Sequence, residues 1–146
     1  MIRPYQDSDL PRLSVLFDLY RQFYLQPSNR EAGQAFLQER QSLGESVILV
    51  ADFNGEAHGF VQLYPSFSSV GLQRTWILND LFVTAEARGE GLGEALVKAS
   101  MDFVLSQGAS RLSLMTAVTN TAAQKLYEKL GWMKNKDYFT YNWRSA

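Results

Sequence analysis

The segment TAEARGEGLGEALVKA, Thr84 to Ala99, constrains this chain more than any other stretch. Gly89, Gly91 and Gly93 stand just behind Arg88 and run into a helical stripe of Leu92, Ala95, Leu96, Ala99 and Phe103. Glycine is a costly way to start a helix unless the backbone there must do something a side chain would obstruct. An apolar run, WILNDLFV, comes immediately before. Strand, glycine turn and helix N-terminus in that order make an anion site. The first helical N–H groups have no internal partner and point outward, and the macrodipole adds partial positive charge. Arg88 can add a charge-assisted contact. Two standard nucleotide patterns fail here. The P-loop needs Gly-Lys-Ser/Thr and GEGLGEA has no lysine; the dinucleotide fingerprint needs a glycine three positions past Gly91, where Glu94 stands. The bland alternative is a flexible loop capped by a helix, since glycine clusters are common in loops.

The rest of the chain narrows the setting. With 146 residues, a single domain over 1–146 is expected. The net charge is −1 and no long Lys/Arg run occurs, which argues against nucleic-acid or membrane-surface binding. No cysteine is present, excluding disulfides, Cys-ligated zinc and a Cys nucleophile. One histidine, His58, and no carboxylate cluster at ligand spacing leave metal binding without support. The opening MIRPYQDSDLPRL lacks an apolar signal core, and no apolar run approaches the ~20 residues of a membrane span. The expectation is a cytoplasmic protein.

Periodicity then gives the elements. MIRPY reads as a first strand, and Ser8 or Asp9 as the cap of a helix with Pro11 in its first turn. Leu13, Leu16, Phe17 and Tyr20 continue that helix, and a second lies between Pro27 and Gly44. SVILVADFNGEAHGFVQLYPSF is a hairpin turning at Asn54-Gly55. RTWILNDLFVTA is a long central strand. After the glycine loop and its helix come a strand over SRLSLMTAVT, a helix over NTAAQKLYEKLGW and a last strand over KDYFTYNW. The order β-α-α-β-β-β-α-β-α-β predicts an α/β fold with a mixed sheet and helices on both faces.

RGEGLG resembles the Arg/Gln-x-x-Gly-x-Gly/Ala signature of the GNAT N-acetyltransferase family. WILNDLFV is similar to that family's fourth strand, and NTAAQKLYEKLGW to its Asn-x-x-(A/S)-x-x-x-Tyr-x-x-x-Gly-(F/W) segment. Element order agrees along nearly the whole chain. Within the family, the closer similarity is to the spermidine/spermine-type and other small-amine acetyltransferases. The resemblance implies acetyl-CoA as donor and no metal. It implies a pyrophosphate on the backbone of Arg88, Gly89, Glu90, Gly91, Leu92, Gly93 and Glu94. The pantetheine arm would pair with the edge of Leu81, Phe82 and Val83. That edge is free only if the strands ending near Val83 and beginning near Ser113 splay apart, which a bulge near Asn79–Leu81 would produce. Asn120 has two compatible readings, a plain N-cap and a partner for the cofactor's amides.

Acetyl transfer to an amine needs deprotonation of the amine, stabilisation of an oxyanion and departure of the thiolate. By residue pattern alone, Tyr127 is an aromatic packed between Leu126 and Leu130; the resemblance implies the general acid. A free tyrosine, pKa about 10, is a weaker acid than a thiol, about 8.5, so Tyr127 would hydrogen-bond the departing sulfur more than protonate it outright. The oxyanion would meet a backbone N–H of the Leu81–Phe82 region. The similar polyamine enzymes carry Glu-Asp where this chain has Asn79-Asp80, and Asn79 cannot take a proton. Asp80 then either attracts the ammonium, accepts its proton through water, or is a structural bulge residue. His58 reads as packing or surface. Tyr20, Phe23, Tyr24, Tyr64 and Phe67 would make the acceptor region aromatic, suiting a cationic amine. Trip points remain in the acceptor itself: a small amine, a protein lysine or N-terminus, or none, if the fold is a non-catalytic acyl-CoA-binding module. Trp76 and the aromatic last strand are candidates for a homodimer surface.

Overall fold

The computed structural model describes residues 1–145, in two compact units, Met1–Met115 and Thr116–Ala146. The first unit holds a five-stranded sheet: β1 (Ile2–Pro4), β2 (Val47–Phe53), β3 (Glu56–Ser68), β4 (Gln73–Val83) and β5 (Leu112–Ser113), side by side in that order. All pairs are antiparallel except β4 with β5, which is parallel. Helices α1 (Leu10–Phe23) and α2 (Arg30–Ser42) follow β1, and α3 (Leu92–Ser106) joins β4 to β5. Helix α4 (Thr121–Lys129) belongs to the second unit. No helix among the described residues is long and apolar enough to cross a membrane.

Alternation in the strands decides which helix covers which face. Ile48, Val50 and Phe60 point to one side and form a core with Leu13, Leu16 and Phe17 of α1 and Leu37 of α2. Their neighbours Leu49, Ala51 and Val61 point to the other side, toward α3. Each large apolar side chain buried this way contributes roughly 1.5–3 kcal/mol. Gly59 sits on the α3 side under a tight constraint. A Cβ there would lie 2.9 Å from the Phe82 carbonyl oxygen, 3.3 Å from Val83 Cγ2 and 3.4 Å from Leu96 Cδ1.

The hairpin turns where the sequence predicts it. Asn54 and Gly55 both have positive φ, 54° and 79°, the two-residue turn whose twist matches the strands it joins. The bulge also lies in the expected region. Gln62 pairs with Asp80 but Leu63 pairs with Leu78, so Asn79 is the extra residue in β4.

Three expectations are corrected. Asp9 starts α1 without capping it. Its carboxylate accepts from Arg3 Nη1 and Nη2 at 2.8 and 2.7 Å and from the Gln6 N–H at 2.8 Å, closing a 3₁₀ turn over Asp7–Asp9. Arg3 also reaches Asp52 at 2.6 Å, tying the start of the chain to β2. The strand over SRLSLMTAVT shrinks to Leu112–Ser113, because its ladder with β4 ends at Ile77 and Ser113. The last strand, over KDYFTYNW, does not form. Its alternation suits a pleat, but among the described residues it has no partner strand to supply a ladder.

In the second unit Asn120 caps α4, its side-chain oxygen accepting from the Ala123 N–H at 3.2 Å. Gly131, at φ 91°, ends the helix, and the Trp132 N–H returns to the Tyr127 carbonyl at 2.9 Å. The Tyr127 and Trp132 rings lie 5.7 Å apart.

Candidate active site

Beyond Ile77, β4 runs on to Val83 with β3 on one side and no β5 partner on the other. Backbone groups of Leu81, Phe82 and Val83 on that open edge can pair with an extended amide-bearing chain. The strand leads through a 3₁₀ turn, Ala85–Ala87, into the glycine loop. Gly89 and Gly91 have φ of 85° and 76°, which L side chains rarely adopt. Gly93 has neither positive φ nor a neighbour within 4 Å, and a Cβ at Gly89 or Gly91 would also meet nothing. Packing therefore does not explain the third glycine, and the space beside it is open. The first i→i−4 bond of α3 runs from Ala95 to Gly91, so the amides of Leu92, Gly93 and Glu94 precede the ladder and face the loop. Arg88 is exposed, and its Nε donates to the Val83 carbonyl at 3.3 Å, linking loop to strand edge. The ensemble fits a pyrophosphate followed by a peptide-like arm.

On the α1–α2 side of the bulge is a pocket of about 420 Å³. Phe17, Tyr20 and Arg21 of α1, Gly33 and Phe36 of α2, and Tyr64, Asn79 and Asp80 of the sheet line it. Asp80 is buried, and Asn79 is exposed. The Asp80 carboxylate accepts from Gln62 Nε2 at 2.6 Å and from Asn79 Nδ2 at 3.0 Å. Burial nevertheless dominates and holds this carboxyl above the ordinary aspartate range, against the pull of those donors. Its charge is felt around it. Tyr64 is pushed up to about 12, first by burial and then by Asp80, and Tyr20 is raised further for the same two reasons. The Tyr20 hydroxyl makes a long bond, 3.4 Å, to the Asn79 carbonyl at the bulge.

The α1–α2 wall is held by a second buried carboxylate. Asp18 accepts from Ser28 Oγ at 2.6 Å, the Asn29 N–H at 2.8 Å and Gln22 Nε2 at 3.0 Å. These bonds keep its pKa below the ordinary range, the Ser28 bond most of all. Asn29 in turn caps α2 through the Ala32 N–H. Gly33 lets α2 approach α1, since a Cβ there would lie 3.2 Å from the Phe17 ring. Phe17 and Phe36 stack at 6.0 Å.

Of the residues singled out from the sequence, Asp80, Tyr20 and Tyr64 meet in the pocket, and Leu81 to Glu94 form one continuous strand-edge and loop. Phe23, Tyr24 and Phe67 are exposed and do not line the pocket; Phe17 and Phe36 take their place. Trp76 is buried against Phe103, ring centroids 5.1 Å apart, and is no dimer surface. His58 bonds Thr84 Oγ1 through Nδ1 at 3.0 Å, just ahead of the glycine loop. Asn120 and Tyr127 stand on α4 in the second unit, with Asn120 in its capping role. Among the described residues no group of three or more His, Asp or Glu could hold a metal ion. Sequence reasoning missed Gln62 and Asp18. A carboxylate between Phe17 and Leu19 in an apolar stripe was the available signal for Asp18.

The model of the acetyltransferase (GNAT) family matches residues 13–132, most of the chain and every part of the strand, loop and helix just described. The chain belongs to the GNAT acetyltransferase family. The N-acetyltransferase YhfO of Bacillus subtilis is 44% identical over 140 residues, covering 96% of this chain and 94% of its own. A probable acetyltransferase of Haemophilus influenzae is 43% identical over 101 residues, covering 68% of this chain and 69% of its own. The crystal structure of a probable acetyltransferase superposes with a TM-score of 0.94 at 36% identity, covering 100% of this chain and 98% of that one. This GNAT enzyme is thus an N-acetyltransferase with the family's open mixed sheet, and the family uses acetyl-CoA.

Proposed function

We propose that the enzyme moves acetyl from acetyl-CoA to the primary amine of a small molecule held in the pocket over Asp80. The observation that carries this reading is a buried carboxylate, flanked by Tyr20 and Tyr64, on the same strand as the free edge at Leu81–Val83. An ammonium entering the pocket meets a negative charge and aromatic faces, both favourable. Asp80 sits above the ordinary carboxylate range, which brings its basicity closer to the proton it must attract or relay. With no cysteine in the chain, the amine attacks the thioester directly in a ternary complex. The acetyl oxygen gains charge beside the Leu81–Phe82 backbone, and Tyr127 supplies a hydrogen bond to the leaving sulfur. Arg88 to Glu94 hold the pyrophosphate and Leu81 to Val83 the pantetheine arm, and the family resemblance assigns Asn120, the cap of α4, to the cofactor's amides.

Arg21 on the pocket lining shifts the acceptor class away from the spermidine-type resemblance. A second cationic centre on a polyamine would face a guanidinium. A monoamine, or an amine that also carries a carboxylate, would not. We take both units as parts of one acetyltransferase domain, working as a homodimer, with the cytoplasmic setting expected from the cysteine-free sequence.

Thiol release from acetyl-CoA, measured against monoamines, amino acids, polyamines, aminoglycosides and lysine peptides, tests the reading. Amine-dependent release ranking amino acids and monoamines above polyamines is expected. Release with lysine peptides alone would replace the small-molecule acceptor with a protein, and tight acetyl-CoA binding without release would make the chain a binding module. Tyr127→Phe is expected to lower turnover and leave acetyl-CoA affinity unchanged; an unchanged rate removes Tyr127 from the mechanism.

A further inference from the structure

Only two charged side chains line the pocket beside the β4 bulge, Asp80 and Arg21, and they carry opposite signs without pairing to each other. Among the described residues the half-buried Arg21 guanidinium makes one hydrogen bond, from Nη1 to the Pro27 carbonyl at 3.2 Å, and no ion pair. Other arginines of the same half of the chain are used differently. Arg3 pairs with Asp52 at 2.6 Å, Arg12 with Glu56 at 3.4 Å and Arg40 with Glu45 at 2.8 Å. Asp18, one turn back on α1, feels the charge of Arg21 but does not bind it. Its Oδ1 accepts from the Asn29 N–H at 2.8 Å, and its Oδ2 from Ser28 Oγ at 2.6 Å and Gln22 Nε2 at 3.0 Å. Uncharged donors thus occupy the acid that could have neutralised Arg21. The Pro27 bond fixes the guanidinium at the α1–α2 connection and leaves most of its planar fork of N–H donors for a ligand.

The rest of the lining says what that ligand is. A planar fork matches a carboxylate, which can accept from two of its N–H groups at once. One guanidinium balances one carboxylate charge; a phosphate dianion would leave an excess facing Asp80. Asn79 beside Asp80 is neutral, so the pocket offers one negative charge for one ammonium. Phe17, Phe36 and Tyr64 add apolar wall. The volume, about 420 Å³, lies in the lower part of the roughly 300–1,000 Å³ spanned by small-molecule sites. One positive group, one negative group and an apolar body in a small pocket describe an amino acid.

We propose that Arg21 is the specificity-determining residue for the acceptor, binding the carboxylate of an amino acid with an apolar side chain whose amine lies over Asp80. The place of the amine rests on the functional reading above; the place of the carboxylate does not.

Matched pairs that differ only by the carboxylate test this: phenylalanine against phenethylamine, and leucine against 3-methylbutylamine. The wild-type enzyme is expected to favour the amino acid of each pair by about 10–100-fold in kcat/KM, the range of a charge-assisted contact. Arg21→Gln is expected to bring both ratios near one. Arg21→Lys keeps the charge without the fork and is expected to retain part of the preference. A merely structural Arg21 would lower both members of a pair alike. Equal rates within the pairs, or a preference that survives Arg21→Gln, overturn the proposal. Should Arg21→Gln fail to fold, an undiminished preference in Arg21→Lys overturns it as well. A second arm needs no activity. With CoA in place of acetyl-CoA, phenylalanine is expected to raise Tm more than phenethylamine does, and Arg21→Gln to abolish the difference. Equal shifts in the wild-type protein overturn the carboxylate site. If no amine releases thiol from acetyl-CoA, the functional reading fails, and the melting arm still decides whether Arg21 binds a carboxylate.

Discussion

Two carboxylates in the first unit are equally hidden from water, Asp18 at 4% and Asp80 at 5% exposure, and their proton affinities move in opposite directions. Asp18 sits at the α1–α2 junction with a hydroxyl, a backbone N–H and an amide aimed at it. Asp80 sits at the β4 bulge among the Gln62 and Asn79 side-chain amides and the Tyr20 hydroxyl, all of which burial outweighs. Donors satisfy the first charge fully, so ionising it holds the fold together. At the second, burial outweighs the donors, so ionising it costs stability. Equal burial therefore goes with opposite shifts, and the balance of burial against donors sets the direction.

The comparison can be broken most sharply at Asp80. Asp80→Asn is expected to lower kcat/KM for the amine by about 100-fold or more, the range of a lost base or proton relay. It is also expected to raise Tm at neutral pH. The folded-state pKa is raised, so the carboxyl's contribution to stability is present in acid and lost as pH rises through that pKa. The gain from Asn should therefore appear above that pKa and vanish below it. A fall in Tm at pH 7 would make Asp80 a structural acid like Asp18. Next in size, Asp18→Ala should cost roughly 3 kcal/mol by stranding buried donors, about 10 °C in melting temperature. Here the folded pKa is lowered, so the stability is present above the unfolded pKa and lost as pH falls through the folded one. Thermal melts across pH should show the gap closing below about pH 4. The smallest effect belongs to the loop. Gly91→Ala, at φ 76°, should cost about 1 kcal/mol and raise KM for acetyl-CoA while leaving KM for the amine alone. Equal changes in both KM values would separate the loop from cofactor binding.

What could be read in the sequence is what local chemistry dictates. Asn54-Gly55 set the hairpin, the glycines set the loop and α3, and the need for a free strand edge put the bulge in the stretch Asn79–Leu81, where it falls at Asn79. The misses are all matters of distant partners. Nothing local says that Asp9 spends its oxygens on Arg3, that Phe36 reaches Phe17 past Gly33, or that Gln62 lies opposite Asp80. The alternation of Phe139, Tyr141 and Trp143 suits a strand, yet no strand forms there, because alternation is only half of a ladder. Asn120 and Tyr127 were legible as a cap and an aromatic; the cofactor contact of Asn120 and the catalytic role of Tyr127 came from the family pattern and stand as proposals.

Gly59 has a bearing on how this enzyme can change. Its missing side chain faces the Phe82 carbonyl, a backbone atom with no freedom to swing aside. A methyl group there would push β4 outward, and with it the open edge at Leu81–Val83. The position of that edge is therefore set partly from behind the sheet, by a residue of the neighbouring strand. Pocket walls built from Tyr64, Phe36 or Arg21 can change one side chain at a time. Position 59 has no such latitude, because the atom it faces belongs to the backbone.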